Sequence, residues 1–182
     1  MEWIQSIDEA IIFFIQTYFH NPITDFFFPL ITALGDAGVI WILAAILMLC
    51  FPKTRRWGII LGIALAVTFL INDLLIKPAV QRPRPCDLYP AVDLLIQRPD
   101  SYSFPSGHSA SSFASSVVLL HCNRRLGIAA LILACFIAFS RVFLFVHFPT
   151  DILTGALLGS GTALFLCAGL KKLKKLPPTL PS

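Results

Sequence analysis

Charge is scarce in this chain. Only 13% of its 182 residues are Asp, Glu, Lys or Arg, against about 25% in ordinary soluble domains, while 57% are hydrophobic. That balance excludes a soluble globular protein and points to an integral membrane protein. The length suits one bundle of five or six helices at about 20 residues per span and leaves no room for a second domain. The five cysteines, Cys50, Cys86, Cys122, Cys135 and Cys167, contain no closely spaced pair, and most lie in or beside apolar runs. They read as small hydrophobes, not as a disulfide framework or a zinc site. No carboxylate cluster and no His pair at metal-ligand spacing is present, so neither a metal nor another cofactor is expected. The first residues carry Glu2, Asp8 and Glu9 with no early Lys or Arg, unlike a cleavable signal peptide. The net charge of +4 is divided between short clusters and a candidate anion site. It therefore argues for topology signals and against nucleic acid as a partner.

What the chain does have is a succession of apolar runs. Trp3 to His20 carries acidic breaks at Asp8 and Glu9 and stops at Asn21-Pro22, which makes it a marginal first span. Ile23 to Leu34, interrupted by Asp25 and Pro29, is too short to cross about 30 Å of hydrocarbon and reads as an interfacial helix. After the break Gly35-Asp36-Ala37-Gly38 come Val39 to Phe51, a short span, and Trp57 to Ile76, the clearest one. Asn72-Asp73 near its end reads as a local hydrogen-bonded pair or cap. Lys77 to Phe104 is the longest polar connection, and Pro78, Pro83, Pro85, Pro90 and Pro99 argue against a continuous helix there. Ser106 to His121, Leu126 to Val146 and Pro149 to Leu170 complete the set. A basic tail follows, Lys171-Lys172-Leu173-Lys174-Lys175 and three prolines, expected to anchor at headgroups and fray at its end. The expected fold is all-α, a polytopic membrane bundle of about six transmembrane helices with a short interfacial helix, as a single domain over residues 1–182. Gly155, Gly159 and Gly161 suit either a dimer face or close packing inside the bundle, so the oligomeric state stays open.

If each span reverses direction, Lys53, Arg55, Arg56, Arg124, Arg125, Lys171, Lys172, Lys174 and Lys175 fall on one face. Lys77, Arg82, Arg84, Arg98 and Arg141 fall on the other. Positive charge in short loops marks the cytoplasm, so the first face is inside, both termini are expected there, and the second face is extracytoplasmic. Cations held outside against that rule need a reason, and chemistry supplies one. The alternation also lets three separate polar segments meet at the outer face.

The first is Lys77 with Arg82-Pro83-Arg84-Pro85, which offers a point charge and planar bidentate donors for phosphate oxygens. By itself it reads slightly better as a headgroup-binding loop. The second is Pro105-Ser106-Gly107-His108, which opens a helix and aims unpaired backbone N–H groups at the surface. Gly107 admits an oxyanion close to the backbone, and the Ser106 hydroxyl adds a donor. The third is Ser140 to Asp151: Arg141 reaches the same phosphate, and Asp151 in the first turn of a helix accepts the ring N–H of His147. His147 is then the nucleophile, attacking phosphorus in line, while His108 protonates the departing oxygen and later activates water. Lys77, Arg84, Arg141, Ser106 and Gly107 stabilise the equatorial oxygens, the main demand of phosphoryl transfer. His20 and His121 lack such neighbours and read as interface residues.

Lys77-x6-Arg84-Pro85, Pro105-Ser106-Gly107-His108 and Ser140-Arg141-x5-His147-x3-Asp151 resemble, in order and spacing, the three-part signature of the type-2 phosphatidic acid phosphatase superfamily. The resemblance implies a six-helix membrane phosphatase with a His nucleophile, a second His as acid and base, and no metal. Arg82 is an addition to the signature, a candidate ligand for a second phosphate. The compact size, the outward site and the Arg-Pro-Arg-Pro segment resemble the branch that cleaves undecaprenyl pyrophosphate. Phosphatidylglycerol phosphate and phosphatidic acid are the alternatives within the class. A non-catalytic protein that binds or carries anionic lipid is the alternative outside it.

Overall fold

Each apolar run folds as a helix in the computed structural model, which describes residues 2–180. The helices are α1 (Glu2–Tyr18), α2 (Pro22–Gly35), α3 (Val39–Cys50), α4 (Arg55–Phe69), α5 (Lys77–Val80), α6 (Pro85–Leu88), α7 (Gly107–Cys122), α8 (Arg124–Phe143) and α9 (Pro149–Lys172). Breaks fall where the sequence supplies caps or special backbone. Asn21 caps α2 by accepting from the N–H groups of Ile23 and Thr24 at 3.0 and 3.2 Å, and Thr24 Oγ1 returns the favour to Asn21 N at 3.0 Å. Between α2 and α3 the chain turns through Ala37 (φ 50°) and Gly38 (φ 68°), a left-handed pair that glycine makes inexpensive. Beyond α4 the ladder loosens into π-helical turns at Leu70–Ile76 before α5.

Among the described residues, four helical runs are long and apolar enough to cross a membrane: Pro22–Cys50, Arg55–Leu88, Arg124–Phe143 and Pro149–Lys172. The first is bent at Ala37 and Gly38, so α2 and α3 act separately. The middle of the bundle is α7, which packs most extensively against α9 and α8 and then α4. Its serines are mostly buried and internally satisfied. Ser115 and Ser116 donate to carbonyls one turn back at 2.8 Å, and Ser112 accepts from the Trp41 indole at 2.9 Å. Against α9 the approach is close enough that a Cβ on Gly155 would sit 2.4 Å from the Ser106 carbonyl oxygen, and one on Gly159 2.0 Å from that of Ala110. Those two glycines serve packing inside the bundle.

The two ends of the bundle differ. At one end lie the α3–α4 turn, Asn123 and the tail. Up to Leu180 the tail folds under the bundle: Pro178 O accepts from the Trp57 indole at 3.1 Å, and Leu180 N donates to Cys122 O at 2.7 Å, while its last residues, where fraying is expected, lie outside the described residues. A buried indole N–H and a helix-terminal carbonyl both need partners there, and the tail supplies them. At the other end the starts of α7 and α9 are tied by Ser106 N donating to Asp151 O at 3.0 Å.

α1 departs from the expectation of a first span. Asp8, near its start, bonds Thr150 at the head of α9; Gln16 donates to Phe143 O at the end of α8 at 2.8 Å; His20 stacks on Phe143 with centroids 4.1 Å apart. A helix running down the bundle would touch that end at one point only, since Asp8 to His20 covers about 18 Å at 1.5 Å per residue. α1 therefore lies across the site end. Its anchors explain why: Asp8 is buried against the head of α9, while Ile12 and Ile15 join the core around Phe143, Phe145 and Phe148.

Candidate active site

A cavity of about 1180 Å³ opens at the site end, and Lys77, Arg84, Gly107, His108, Arg141 and His147 line its polar part. Six residues singled out from three separate stretches of sequence thus share one wall. The cavity continues between α3 and α4 past Ile42, Ile46, Leu49, Ile59 and Leu65, an apolar surface facing the lipid layer.

His147 sits in the turn between α8 and α9 and is 1% exposed. Its Nε2 lies 3.1 Å from Arg84 Nη1. A guanidinium can only donate, so Nε2 is the bare nitrogen and Nδ1 carries the proton. Nδ1 faces Asp151 Oδ2 at 3.4 Å and Ser103 Oγ at 3.4 Å. Asp151 is fully buried and fixed by the start of α9, where Pro149 opens the helix and Phe148 N donates to Oδ2 at 2.9 Å. Ser103 Oγ donates to the same oxygen. Burial, reinforced by Arg84 and Arg141, holds His147 well below the ordinary histidine pKa, and Asp151 offsets only part of this. The imidazole is therefore neutral, with the Nε2 lone pair available.

Two buried guanidinium groups supply positive charge without carboxylate partners at ion-pair distance among the described residues. Arg84 is held by carbonyls, with Nη1 donating to Val146 O at 2.7 Å and Nε to Ser101 O at 2.7 Å. Arg141 donates from Nη1 to Thr32 Oγ1 at 2.6 Å, and its buried Nε has no hydrogen-bond partner among the described residues. A buried, incompletely satisfied cation is costly unless an anion completes it. Lys77 differs, since its Nζ donates to Asp73 Oδ1 at 2.6 Å. The Asp73 carboxylate lies beside Gly107, where the unpaired N–H groups of α7 begin.

Across the cavity, His108 Nε2 is 2.9 Å from Asp36 Oδ1. An ionised carboxylate can only accept, so this ring nitrogen bears a proton it can pass on. The two imidazoles are thereby set in opposite states by their partners: bare Nε2 on His147, protonated Nε2 on His108.

Two expected ligands stand elsewhere. Ser106 is fully buried and outside the cavity wall; its Oγ accepts from Ser109 N at 3.4 Å and Ser109 Oγ at 3.2 Å as a helix cap. Arg82 is also absent from the cavity wall, which removes the basis for giving it a second phosphate. Its guanidinium stacks over Phe148 at 4.1 Å and bonds Asp151 and Asp8 at 2.6 and 2.8 Å. The Asp151 carboxylate draws it behind His147. His20 and His121 stay outside the cavity, paired with Asp25 and the Val117 carbonyl.

Sequence reasoning missed the partners: Asp36, Asp73, Thr32, Ser103 and Asp8. Asn72 and Asp73 do form the expected local hydrogen-bonded pair, Nδ2 donating to Oδ2 at 3.2 Å, but Asp73 also holds Lys77, and the spacing of four between them was the available signal. The others lie far from their partners in sequence.

Residues 57–175 match the family model of the PAP2 superfamily. An undecaprenyl-diphosphatase of Sulfolobus acidocaldarius is 34% identical over 122 residues, 66% of this chain and 59% of that protein. The phosphatidylglycerophosphatase B of Bacillus subtilis is 31% identical over 175 residues, 86% of this chain and 79% of that protein. The crystal structure of a transmembrane PAP2-type phosphatidylglycerolphosphate phosphatase from Bacillus subtilis superposes with a TM-score of 0.79 at 28% identity, covering 96% of this chain and 90% of that one. With the three signature segments gathered on one cavity wall of a helical membrane bundle, the chain belongs to the PAP2 superfamily and is one of its membrane phosphatases.

Proposed function

We propose that the chain hydrolyses a lipid pyrophosphate at the extracytoplasmic face of the cell membrane, with undecaprenyl pyrophosphate as substrate and undecaprenyl phosphate as product. The observation that carries this reading is the pair of uncompensated guanidinium groups, Arg84 and Arg141, beside the bare Nε2 of His147. Such a pocket is built for a tetrahedral anion poised for attack. Its continuation between α3 and α4 suits a long apolar chain.

In this mechanism the Nε2 lone pair of His147 attacks the terminal phosphorus. The bond to the bridging oxygen breaks, and that oxygen takes the Nε2 proton of His108, which enters the step as the imidazolium and is left neutral. Asp151 stabilises the imidazolium as it forms. Water then gives a proton to His108 and attacks the phosphohistidine, releasing phosphate and restoring His147. Arg84 and Arg141 hold the equatorial oxygens throughout, and Lys77 on the cavity wall is the cation left for the second phosphate. No step calls for a metal.

The nine basic residues at the end opposite the site argue for a cytoplasmic location of that end. Because α1 lies across the site end, we infer that the N-terminus is extracytoplasmic and only the C-terminal tail cytoplasmic. This replaces the expectation that both termini share the inner face.

The test is a substrate panel with purified protein in detergent, comparing kcat/KM for undecaprenyl pyrophosphate, phosphatidylglycerol phosphate and phosphatidic acid. A preference of about tenfold or more for the pyrophosphate is expected. Preference for either phospholipid would overturn the substrate. Lipid binding without phosphate release would favour the non-catalytic reading, for which the ordered His147 and Asp151 pair has no use.

A further inference from the structure

Asp8 comes from a helix that supplies no part of the signature, yet it is fully buried beside the catalytic pair. A buried carboxylate is stable only when well paired. Asp8 accepts from Thr150 N at 3.0 Å, from the Thr150 hydroxyl and from Arg82 Nη2 at 2.8 Å. Arg82 Nη1 in turn donates to Asp151 Oδ1 at 2.6 Å and Thr150 Oγ1 at 2.8 Å, and Nη2 donates to Gln5 at 2.7 Å. Stacking on Phe148 fixes the plane of the fork.

The two oxygens of Asp151 therefore have separate duties. Oδ2 takes His147, Ser103 and Phe148 N, whereas Oδ1 takes Arg82 alone among the described residues. Arg82 is one cation shared between two carboxylates. The share taken by Asp8 decides how much of its charge falls on Asp151, and so how much of the Asp151 charge His147 feels. Simple stability does not require this arrangement, since an apolar replacement of a buried ion network is often as stable.

We propose that Arg82 and Asp8 are positioning residues for the catalytic pair, with α1 acting as a clamp whose carboxylate sets the hold of Asp151 on His147. This rests on the reading of His147 as nucleophile and Asp151 as its orienting partner. Neither Arg82 nor Asp8 lines the cavity, so both act on turnover and leave substrate binding alone.

The charged groups that face His147 are Arg84 from the segment before α6, Arg141 from α8 and Asp151 from α9, with Arg82 and then Asp8 behind. Removing the Arg82 charge leaves Asp151 freer to stabilise the imidazolium, so His147 stays protonated to higher pH. Removing the Asp8 charge gives Arg82 wholly to Asp151, with the opposite effect.

The experiment is the pH profile of kcat/KM for full-length protein on undecaprenyl pyrophosphate in detergent, with kcat and KM measured separately. Arg82→Gln should lower kcat roughly tenfold with KM little changed and move the acid limb up by about one pH unit. Asp8→Asn should move the same limb down. Arg82→Lys, which keeps the charge, should leave the limb near its wild-type position and guards against a fold effect of the larger change. The alkaline limb, assigned to His108 across the cavity, should stay in place in all three.

Unmoved acid limbs with a uniform loss of activity, or limbs moving in one direction for both charge removals, would overturn the clamp. His147→Ala separates the two levels of argument. Residual turnover near wild type in that variant refutes the nucleophile assignment and the clamp with it, whereas an inactive His147→Ala beside unmoved limbs refutes the clamp alone.

Discussion

Gly159 and Gly161 stand two residues apart in α9, and one methyl group added to each should have opposite fates. A Cβ at Gly159 falls 2.0 Å from the Ala110 carbonyl oxygen and 3.0 Å from Ala114 N, whereas a Cβ at Gly161 meets nothing within 4 Å. Ordinary contact begins near 3.4 Å, so Gly159→Ala forces α7 and α9 apart by roughly 1 Å or more, because backbone atoms cannot rotate out of the way. The seam that opens joins the helix carrying His108 to the helix carrying Asp151. Misplacement of about 1 Å between catalytic groups costs on the order of 10²-fold in rate, and overpacking of this kind costs about 1–3 kcal/mol of stability. Gly159→Ala should therefore lower kcat/KM for lipid phosphate hydrolysis by about a hundredfold with reduced thermal stability in detergent. Gly161→Ala should match the wild type in both. Phosphate release and thermal unfolding of the two purified variants make the comparison. Wild-type activity in Gly159→Ala would refute the account of the α7–α9 seam as what registers the two halves of the site.

His147→Ala should reduce phosphate release by at least about 10³-fold while the far-UV helical signal and the unfolding temperature persist. Thr32→Ala, which removes the one side-chain hydrogen bond of Arg141 among the described residues, should lower kcat/KM about tenfold by freeing the guanidinium; an unchanged value would show that Thr32 does not orient it. Stability should fall as pH drops below about 6.5, where an unfolded histidine takes up a proton that buried His147 refuses. The slope this adds is at most about 1.4 kcal/mol per pH unit, and it should be missing in His147→Gln; parallel unfolding curves for the two proteins would contradict it.

The signature residues were legible because each segment sits where a helix begins or ends, and Pro, Gly and the apolar periodicity mark those places. Lys77, Arg84, Gly107, His108, Arg141 and His147 accordingly meet on one cavity wall. The carboxylate that faces His147 was legible from its spacing of four, and Asp151 Oδ2 lies 3.4 Å from Nδ1, but the acids contributed by distant helices were not. Asp36 reaches His108 across 72 residues and Asp8 reaches Thr150 across 142, and such pairings depend on helix packing that no local pattern encodes. Arg82 was misplaced for the same reason. An arginine two residues from a phosphate ligand invites the same role, but a buried carboxylate behind the site attracts it more strongly. The path of α1 was obscured by composition, since an apolar run of span-like length fits equally well across a membrane or along its surface.

α7 has a consequence for how the protein is made. At 16 residues, five of them serine, α7 is not among the helical runs long and apolar enough to cross a membrane unaided, although it occupies the centre of the bundle. As a nascent chain it would gain little by leaving the insertion channel for lipid alone. Ser111, Ser115 and Ser116 find acceptors within the helix, but its close-packed glycine-facing surface exists only once α9 arrives. Insertion of the helix that carries His108 is therefore coupled to synthesis of a partner about 40 residues downstream, and the catalytic site assembles in the same late step that commits the bundle to the bilayer.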